Sequence, residues 1–227
     1  MVRYPTDERH PMNPIPQSGS LFVVSAPSGA GKTSLVRALL GEQPNLRLSV
    51  SCTTRAARPG EVDGIDYEFL DRAEFTRRRD AGDFLEWAEV HDNLYATSRA
   101  WIEGRIALGE DVMLEIDWQG AMQVRRQFRH AVLVFIAPPS IDELRRRLES
   151  RGQDSAEVIE QRIQAAHLEL AEAGQFEYVI INQEFAGALR QLAAVVEASR
   201  CRFAQQRARH SDLFDGLGID EERPHPE

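Results

Sequence analysis

Of the 27 basic side chains in this 227-residue chain, 26 are arginine, and the one lysine is Lys32. It stands in the run Ser25-Ala26-Pro27-Ser28-Gly29-Ala30-Gly31-Lys32-Thr33-Ser34, behind an apolar segment and ahead of a stretch with helical apolar spacing. A glycine-rich turn between a strand and a helix aims successive backbone N–H groups at an anion, and the helix N-terminus adds the favourable end of its dipole. Lysine is a compact point charge on a flexible stem that reaches terminal phosphates, and the hydroxyl after it can ligate Mg²⁺. The pattern G-x-x-x-x-G-K-[ST] is met except at its first position, where Ala26 stands for glycine.

Other charged groups are spaced for the same kind of ligand. Arg55 and Arg58 lie three apart in Ser51-Cys52-Thr53-Thr54-Arg55-Ala56-Ala57-Arg58-Pro59-Gly60-Glu61. Two guanidinium forks can hold a phosphate dianion, although such a pair taken alone reads first as solvated surface charge. The apolar run 112–116 leads into Glu115-Ile116-Asp117, and the period of two along a strand sends both carboxylates to one side. A carboxylate there can hold Mg²⁺ directly or through water. Arg147 and Arg151 share a helix face by their i,i+4 spacing, with Arg162 on the next helix. Arg145, Arg146 and the run Arg77-Arg78-Arg79 read as solvated surface. The six histidines lack metal-ligand spacing, and no Ser-His-Asp or Cys-His set stands out.

These groups need elements to carry them. Segments 21–25, 112–116, 132–136 and 178–181 are short continuous apolar runs and read as buried strands. Helical spacing marks 33–40, 98–108, 141–150 (broken by Gly152), 155–173 and a long closing helix over 185–206. Strand–helix alternation with continuous apolar strands predicts an α/β fold, a parallel sheet with helices on both faces. Between 48 and 95 the texture changes to possible strands at 48–52 and 67–70, a charged stretch over 71–80, and turn signals at Pro59-Gly60 and Asp63-Gly64. That reads as an insertion. Residues 1–19 hold four of the eleven prolines and read as a flexible lead-in, and 206–227 as a polar, frayed tail.

Composition narrows the class. With 42% hydrophobic and 28% charged residues the chain is an ordinary globular protein, neither disordered nor collagenous. A net charge of −9 argues against a general nucleic-acid or anionic-membrane binder. Cys52 and Cys201 are far apart and suggest neither a disulfide framework nor zinc. The apolar runs are too short to span a bilayer and the N-terminus shows no apolar signal core, so the expectation is a cytoplasmic protein.

These motifs together resemble those of bacterial guanylate kinases, over roughly residues 20–205. The resemblance implies a P-loop NTPase-type fold with core 20–50, 98–140 and 166–205, an inserted GMP-binding subdomain at 51–97 and a helical lid at 141–165. It implies ATP-dependent phosphorylation of GMP, and of dGMP with it, aided by Mg²⁺. ATP would lie on Ala26, Pro27, Ser28, Gly29, Ala30, Gly31, Lys32, Thr33 and Ser34, with Pro138-Pro139-Ser140 and Asn182 near its adenine. The S-x-T-T-R-x-x-R-x-G-E stretch resembles the family's clamp on the GMP phosphate, which implies Arg55, Arg58, Tyr67 and Tyr95. Guanine presents N1–H and an N2 amino group as adjacent donors that one carboxylate can accept together. Phe84-Leu85-Glu86-Trp87-Ala88 resembles the family's base-reading stretch, so Glu86 takes that role, with Ser51 and Thr97 at the base edge. Glu115-Ile116-Asp117-Trp118-Gln119-Gly120 resembles D-x-D-x-Q-G, which assigns Asp117 to the acceptor site and, with Thr33, to the metal. Lys32, Arg147, Arg151 and Arg162 would neutralise charge in the transition state. Phosphoryl transfer asks for positioning and charge neutralisation more than for a covalent nucleophile. The chain departs from the pattern at Ala26, at Ala96 in place of glycine, at Glu115 in place of aspartate, and at Gln183. Two rival readings stay open: a non-catalytic module of the same fold, and a related kinase for another phosphorylated acceptor. Assembly into a homo-oligomer is also open.

Overall fold

A computed structural model describes residues 19–90, 92–150, 152 and 154–219. Its main sheet holds five parallel strands, β1 (Leu21–Ser25), β2 (Leu46–Leu48), β7 (Asp111–Glu115), β8 (Val132–Ala137) and β9 (Tyr178–Ile181), in the order β2-β7-β1-β8-β9. Parallel strands covered on both faces have no water-facing side, which explains why Leu21–Val24 and Val132–Ala137 are buried throughout. One face packs on α3 (Arg99–Ala107) and α4 (Trp118–Gln127), the other on α1 (Lys32–Glu42) and α7 (Phe185–Arg200). The four strands expected from continuous apolar runs are β1, β7, β8 and β9, each within a residue of its expected bounds, but β9 is not buried throughout: it lies at the sheet edge and leaves Val179 and Ile181 exposed.

The insertion forms a second sheet of β3 (Cys52–Thr53), β4 (Glu68–Phe69), β5 (Phe84–Val90) and β6 (Asn93–Ser98), in the order β4-β3-β6-β5. Here the sequence reading needs three corrections. The strand expected at 48–52 is two strands in two sheets, because Ser49 leaves the main sheet with its N–H on Met113 C=O and the chain crosses to the insertion before Cys52. Strands β5 and β6 were not anticipated. The charged stretch 71–80 is a helix, α2 (Arg72–Asp80), capped by Asp71, whose side chain accepts from Glu74 N–H at 2.7 Å. Of the run read as surface, Arg77 stays exposed on an i,i+3 pair with Glu74, whereas Arg78 pairs with Glu68 at 2.7 Å and lies over the Phe84 ring, and Arg79 covers Trp87.

Helices α5 (Ile141–Ser150) and α6 (Ala156–Ala171) pack on each other through Leu144, Leu148, Ile159 and Ile163. The long closing helix is broken: α7 stops at Arg200, followed by α8 (Phe203–Arg209) and α9 (Ser211–Gly216). The break follows from Asp111, only 1% exposed, which accepts from Ser20 N–H and from the guanidiniums of both Arg200 and Arg209. The chain must turn after Arg200 for Arg209 to reach the same carboxylate. Phe203 then stacks edge-on with Phe214 at 5.6 Å, so part of the expected frayed tail is packed helix.

Candidate active site

The phosphate-loop motif lies where its chemistry requires, between the end of β1 and the start of α1. Ala30 N–H closes a turn on Pro27 C=O at 3.0 Å, with Gly29 at φ 94° and Gly31 at φ 97°. Both glycines are obligatory on two counts, conformation and space. A Cβ on Gly31 would lie 2.4 Å from Asn182 Nδ2, and one on Gly29 would meet Leu148 and Leu144 of α5 at about 3 Å. Ala26 needs no such licence: it is absent from the left-handed region and packs its methyl against the core. Alanine therefore serves where the motif usually has glycine.

Lys32 Nζ donates to Ile116 C=O at 3.2 Å, at the end of the neighbouring strand β7. Burial lowers the pKa of this ammonium, and the carboxylates of Glu115, Asp117 and Glu169 work in the opposite direction. Thr33 Oγ1 donates to the Glu115 carboxylate. Asp117 caps α4, accepting from Gly120 N–H at 2.7 Å. A hydroxyl and two carboxylates thus surround the lysine at the carboxyl ends of β1 and β7, the edge of an open parallel sheet where ligands gather. Among the described residues no three His, Cys, Asp or Glu form a metal cage. Such a donor set suits a hard cation that keeps water and phosphate oxygens as its other ligands.

On the opposite wall, Arg147 Nη2 donates to Asn182 C=O at 2.9 Å, its Nη1 reaches Ala30 C=O at 3.4 Å, and Glu143 holds its Nε at 2.7 Å. Arg162 Nη1 reaches Ser28 Oγ at 3.4 Å. Both arginines are therefore poised over the phosphate loop from α5 and α6. Asn182 is itself buried, with its amide on Ala30 C=O at 2.8 Å, so it braces the loop directly. A cleft of about 450 Å³ opens beside it, bordered by Ser34, Arg146, Arg147, Gln183 and Phe185.

The inserted lobe supplies two further constellations. Arg55 donates through Nη2 to both Glu61 oxygens (2.8 and 2.9 Å), lies 5.3 Å from the Tyr67 ring centroid, and has only 14% of its side chain exposed. Tyr67 and Tyr95 meet edge to face at 6.1 Å. Arg58 stands exposed beside them, its backbone N–H on Glu61. Burial raises the Tyr67 pKa, with contributions from Tyr95, Glu115 and Glu61 and a counter-effect from Arg55.

Glu86 is 5% exposed and accepts from Thr97 Oγ1 at 2.6 Å. Burial pushes its carboxyl up to about 7, the Thr97 hydrogen bond works against this, and the nearby Asp117 adds to it. Ser51 stands just ahead of β3, and its C=O accepts from Glu68 N–H. Ala96, where a glycine was the expected residue, is a fully buried member of the regular β6 ladder opposite Trp87 and Cys52. Glu86 Oε2 would lie 2.8 Å from a Cβ on Gly120, and Gly120 N–H donates to Asp117, so the buried carboxylate of the insertion stands at the first turn of α4, next to the acid that acts electrostatically on both Lys32 and Glu86.

Comparison with known proteins gives the family. The model of the family described as guanylate kinase matches residues 18–199. The chain belongs to the guanylate kinase family. The guanylate kinase of Bordetella pertussis is 57% identical over 202 residues, covering 89% of this chain and 94% of that one. That of Ralstonia nicotianae is 57% identical over 201 residues, covering 88% and 91%. Among solved structures, the guanylate kinase from Anaplasma phagocytophilum superposes with a TM-score of 0.71 at 33% identity, over 90% of this chain and 97% of that one.

Seen within the guanylate kinase fold, one expected site residue, Arg151, lies outside the described residues. Three groups escaped the sequence reading. Glu61 had a place in the arginine motif but no partner until the fold put it on Arg55. Arg146, read as solvated, borders the cleft beside the loop. Glu169 on α6 is the third: burial and the Asp117 charge push its carboxyl up to about 7 against the pull of Lys32. No helix among the described residues is long and apolar enough to cross a membrane.

Proposed function

We propose that this chain transfers the γ-phosphoryl group of ATP to GMP, giving ADP and GDP, with each substrate held by the residues described above. What supports the reading is the geometry at one strand end, where Lys32 Nζ lies on Ile116 C=O, Thr33 on Glu115, and Glu86 against Gly120, whose N–H donates to Asp117; a cleft shared by the phosphate loop and the inserted lobe follows from it.

Backbone N–H groups of 26–33 receive the ATP phosphates, and Lys32 counters the charge that spreads over the equatorial oxygens of the transferred group. Adenine takes the cleft beside Asn182, where the Arg146 guanidinium and the half-exposed Phe185 ring offer stacking surfaces. Arg55, Arg58, Tyr67 and Tyr95 hold the acceptor phosphate, and Glu61 keeps the Arg55 fork turned towards it. Ionised Glu86 accepts the N1–H and N2–H of guanine, with Thr97 fixing one carboxylate oxygen and Ser51 beside the base. Mg²⁺, held by Thr33 with Asp117 and Glu115, would screen phosphate charge. Arg147, Arg162 and Arg151 complete the neutralisation from the lid over 141–165, whose closure keeps water from the γ-phosphoryl group. An oxygen of the GMP phosphate forms the new bond to the γ-phosphorus as the bond to the β,γ-bridging oxygen breaks. The nucleophile is already anionic, so no side chain has to remove a proton. No residue is assigned to the ribose 2′-hydroxyl, and dGMP is an expected second acceptor.

A coupled assay of ADP formation tests this. Turnover is expected with GMP and none of comparable efficiency with AMP, and the reverse preference would refute the base assignment. The same assay across pH reads Glu86. Its free carboxyl titrates at about 7 and only the ionised form accepts from guanine. KM for GMP should therefore be flat above about pH 8 and rise about tenfold per unit below the midpoint. The second ionisation of the GMP phosphate, near pH 6, and the Glu169 carboxyl, also near 7, must be separated from this; both remain in Glu86→Gln, and only the Glu86 contribution disappears.

A further inference from the structure

Strand β5 is an edge strand of the inserted sheet, yet its free edge does not face water. Phe84 pairs with Ser98 and Glu86 with Thr97, so Leu85 is the extra residue of a β-bulge. A bulge re-aims the side chains around it and leaves one carbonyl outside the ladder. Gln127 Nε2 donates to that carbonyl, Leu85 C=O, at 2.7 Å. Gln123 then behaves as a one-residue strand, since its Oε1 accepts from Trp87 N–H at 3.3 Å and its Nε2 donates to Trp87 C=O at 3.1 Å. Both residues flanking Glu86 are thus fastened to α4 by side-chain amides.

The same helix face leaves room for the carboxylate. Gly120 is three residues before Gln123, which is four before Gln127, so the three align. A Cβ on Gly120 would lie 2.8 Å from Glu86 Oε2. One oxygen of Glu86 is therefore fixed by Thr97 and the other lies against a helix turn stripped of its side chain.

We infer that Gly120 and Gln123 of α4 are positioning residues for base selection, fixing the bulged strand so that Glu86 presents both oxygens to the guanine edge. The inference rests on the assignment of Glu86 to the base. It makes selectivity a property of the joint between the core and the inserted lobe.

The test compares GMP with IMP, whose base lacks the 2-amino group, by calorimetric dissociation constants in the wild type, Gln123→Met, Gly120→Ala and Glu86→Ala. In the wild type, GMP should bind at least about tenfold more tightly than IMP, as expected for one charge-assisted hydrogen bond. In Gln123→Met and Gly120→Ala that ratio should fall towards one, with ATP affinity unchanged. Alanine favours a helix interior over glycine, so Gly120→Ala keeps the fold even if Gln123→Met does not. If GMP and IMP weaken equally in a folded variant, or neither weakens, α4 only attaches the lobe and the inference is overturned. If Glu86→Ala itself leaves the ratio unchanged, the base assignment fails instead.

Discussion

Lys32→Met should reduce kcat by about 10²–10³-fold or more while leaving KM for GMP nearly unchanged, because the ammonium acts on charge that develops at the transferred phosphoryl group. The fold should survive. Burial already disfavours the charged form of Lys32, so a neutral side chain of similar length relieves a desolvation cost, and the one hydrogen bond it loses, to Ile116 C=O, is long at 3.2 Å. The pH sign agrees. A lysine whose folded pKa is lowered subtracts stability below that value, so the variant should be at least as stable as the wild type at neutral pH. Steady-state kinetics together with thermal unfolding check both halves. A variant with full kcat would show that the loop lysine is not part of the chemistry, and one that unfolds would show that the residue is structural.

Glu86→Gln should lower kcat/KM for GMP by about 10²–10³-fold, since two charge-assisted hydrogen bonds to the base are lost and a carboxamide nitrogen is set against the guanine donors. Volume and the acceptor for Thr97 Oγ1 are retained, so packing is not the cause. Turnover of AMP, slow in the wild type, should change little, and the GMP-to-AMP ratio should collapse. The two variants separate the halves of the site. Loss at Lys32 appears in kcat, loss at Glu86 in acceptor selectivity.

Local signals decided which parts of this molecule could be read in advance. Segments 141–150 and 178–181 form as expected because an amphipathic face and an unbroken apolar run each suffice to define an element. β5 was missed because Glu86 and Glu89 interrupt any apolar pattern, and because its outer edge is completed by the side chains of Gln123 and Gln127. The break after Arg200 was missed for a similar reason: its cause is Asp111, far away in sequence. Lys32 and its glycines were legible because strand, turn and helix are contiguous. Glu86 was legible only by resemblance, since nothing near it in sequence announces that it is buried. Glu169 is one of several acids along α6, and only its burial within electrostatic reach of Lys32 and Asp117 sets it apart.

The most direct test of the shared cleft is a crystal structure with adenosine and guanosine joined 5′ to 5′ through five phosphates. Guanine should lie with N1 and N2 on the Glu86 carboxylate, adenine beside Asn182, and the polyphosphate should pass Lys32 on its way to Arg55. A ligand bound by its adenosine half alone, with the guanosine away from Glu86 and Arg55, would contradict the account.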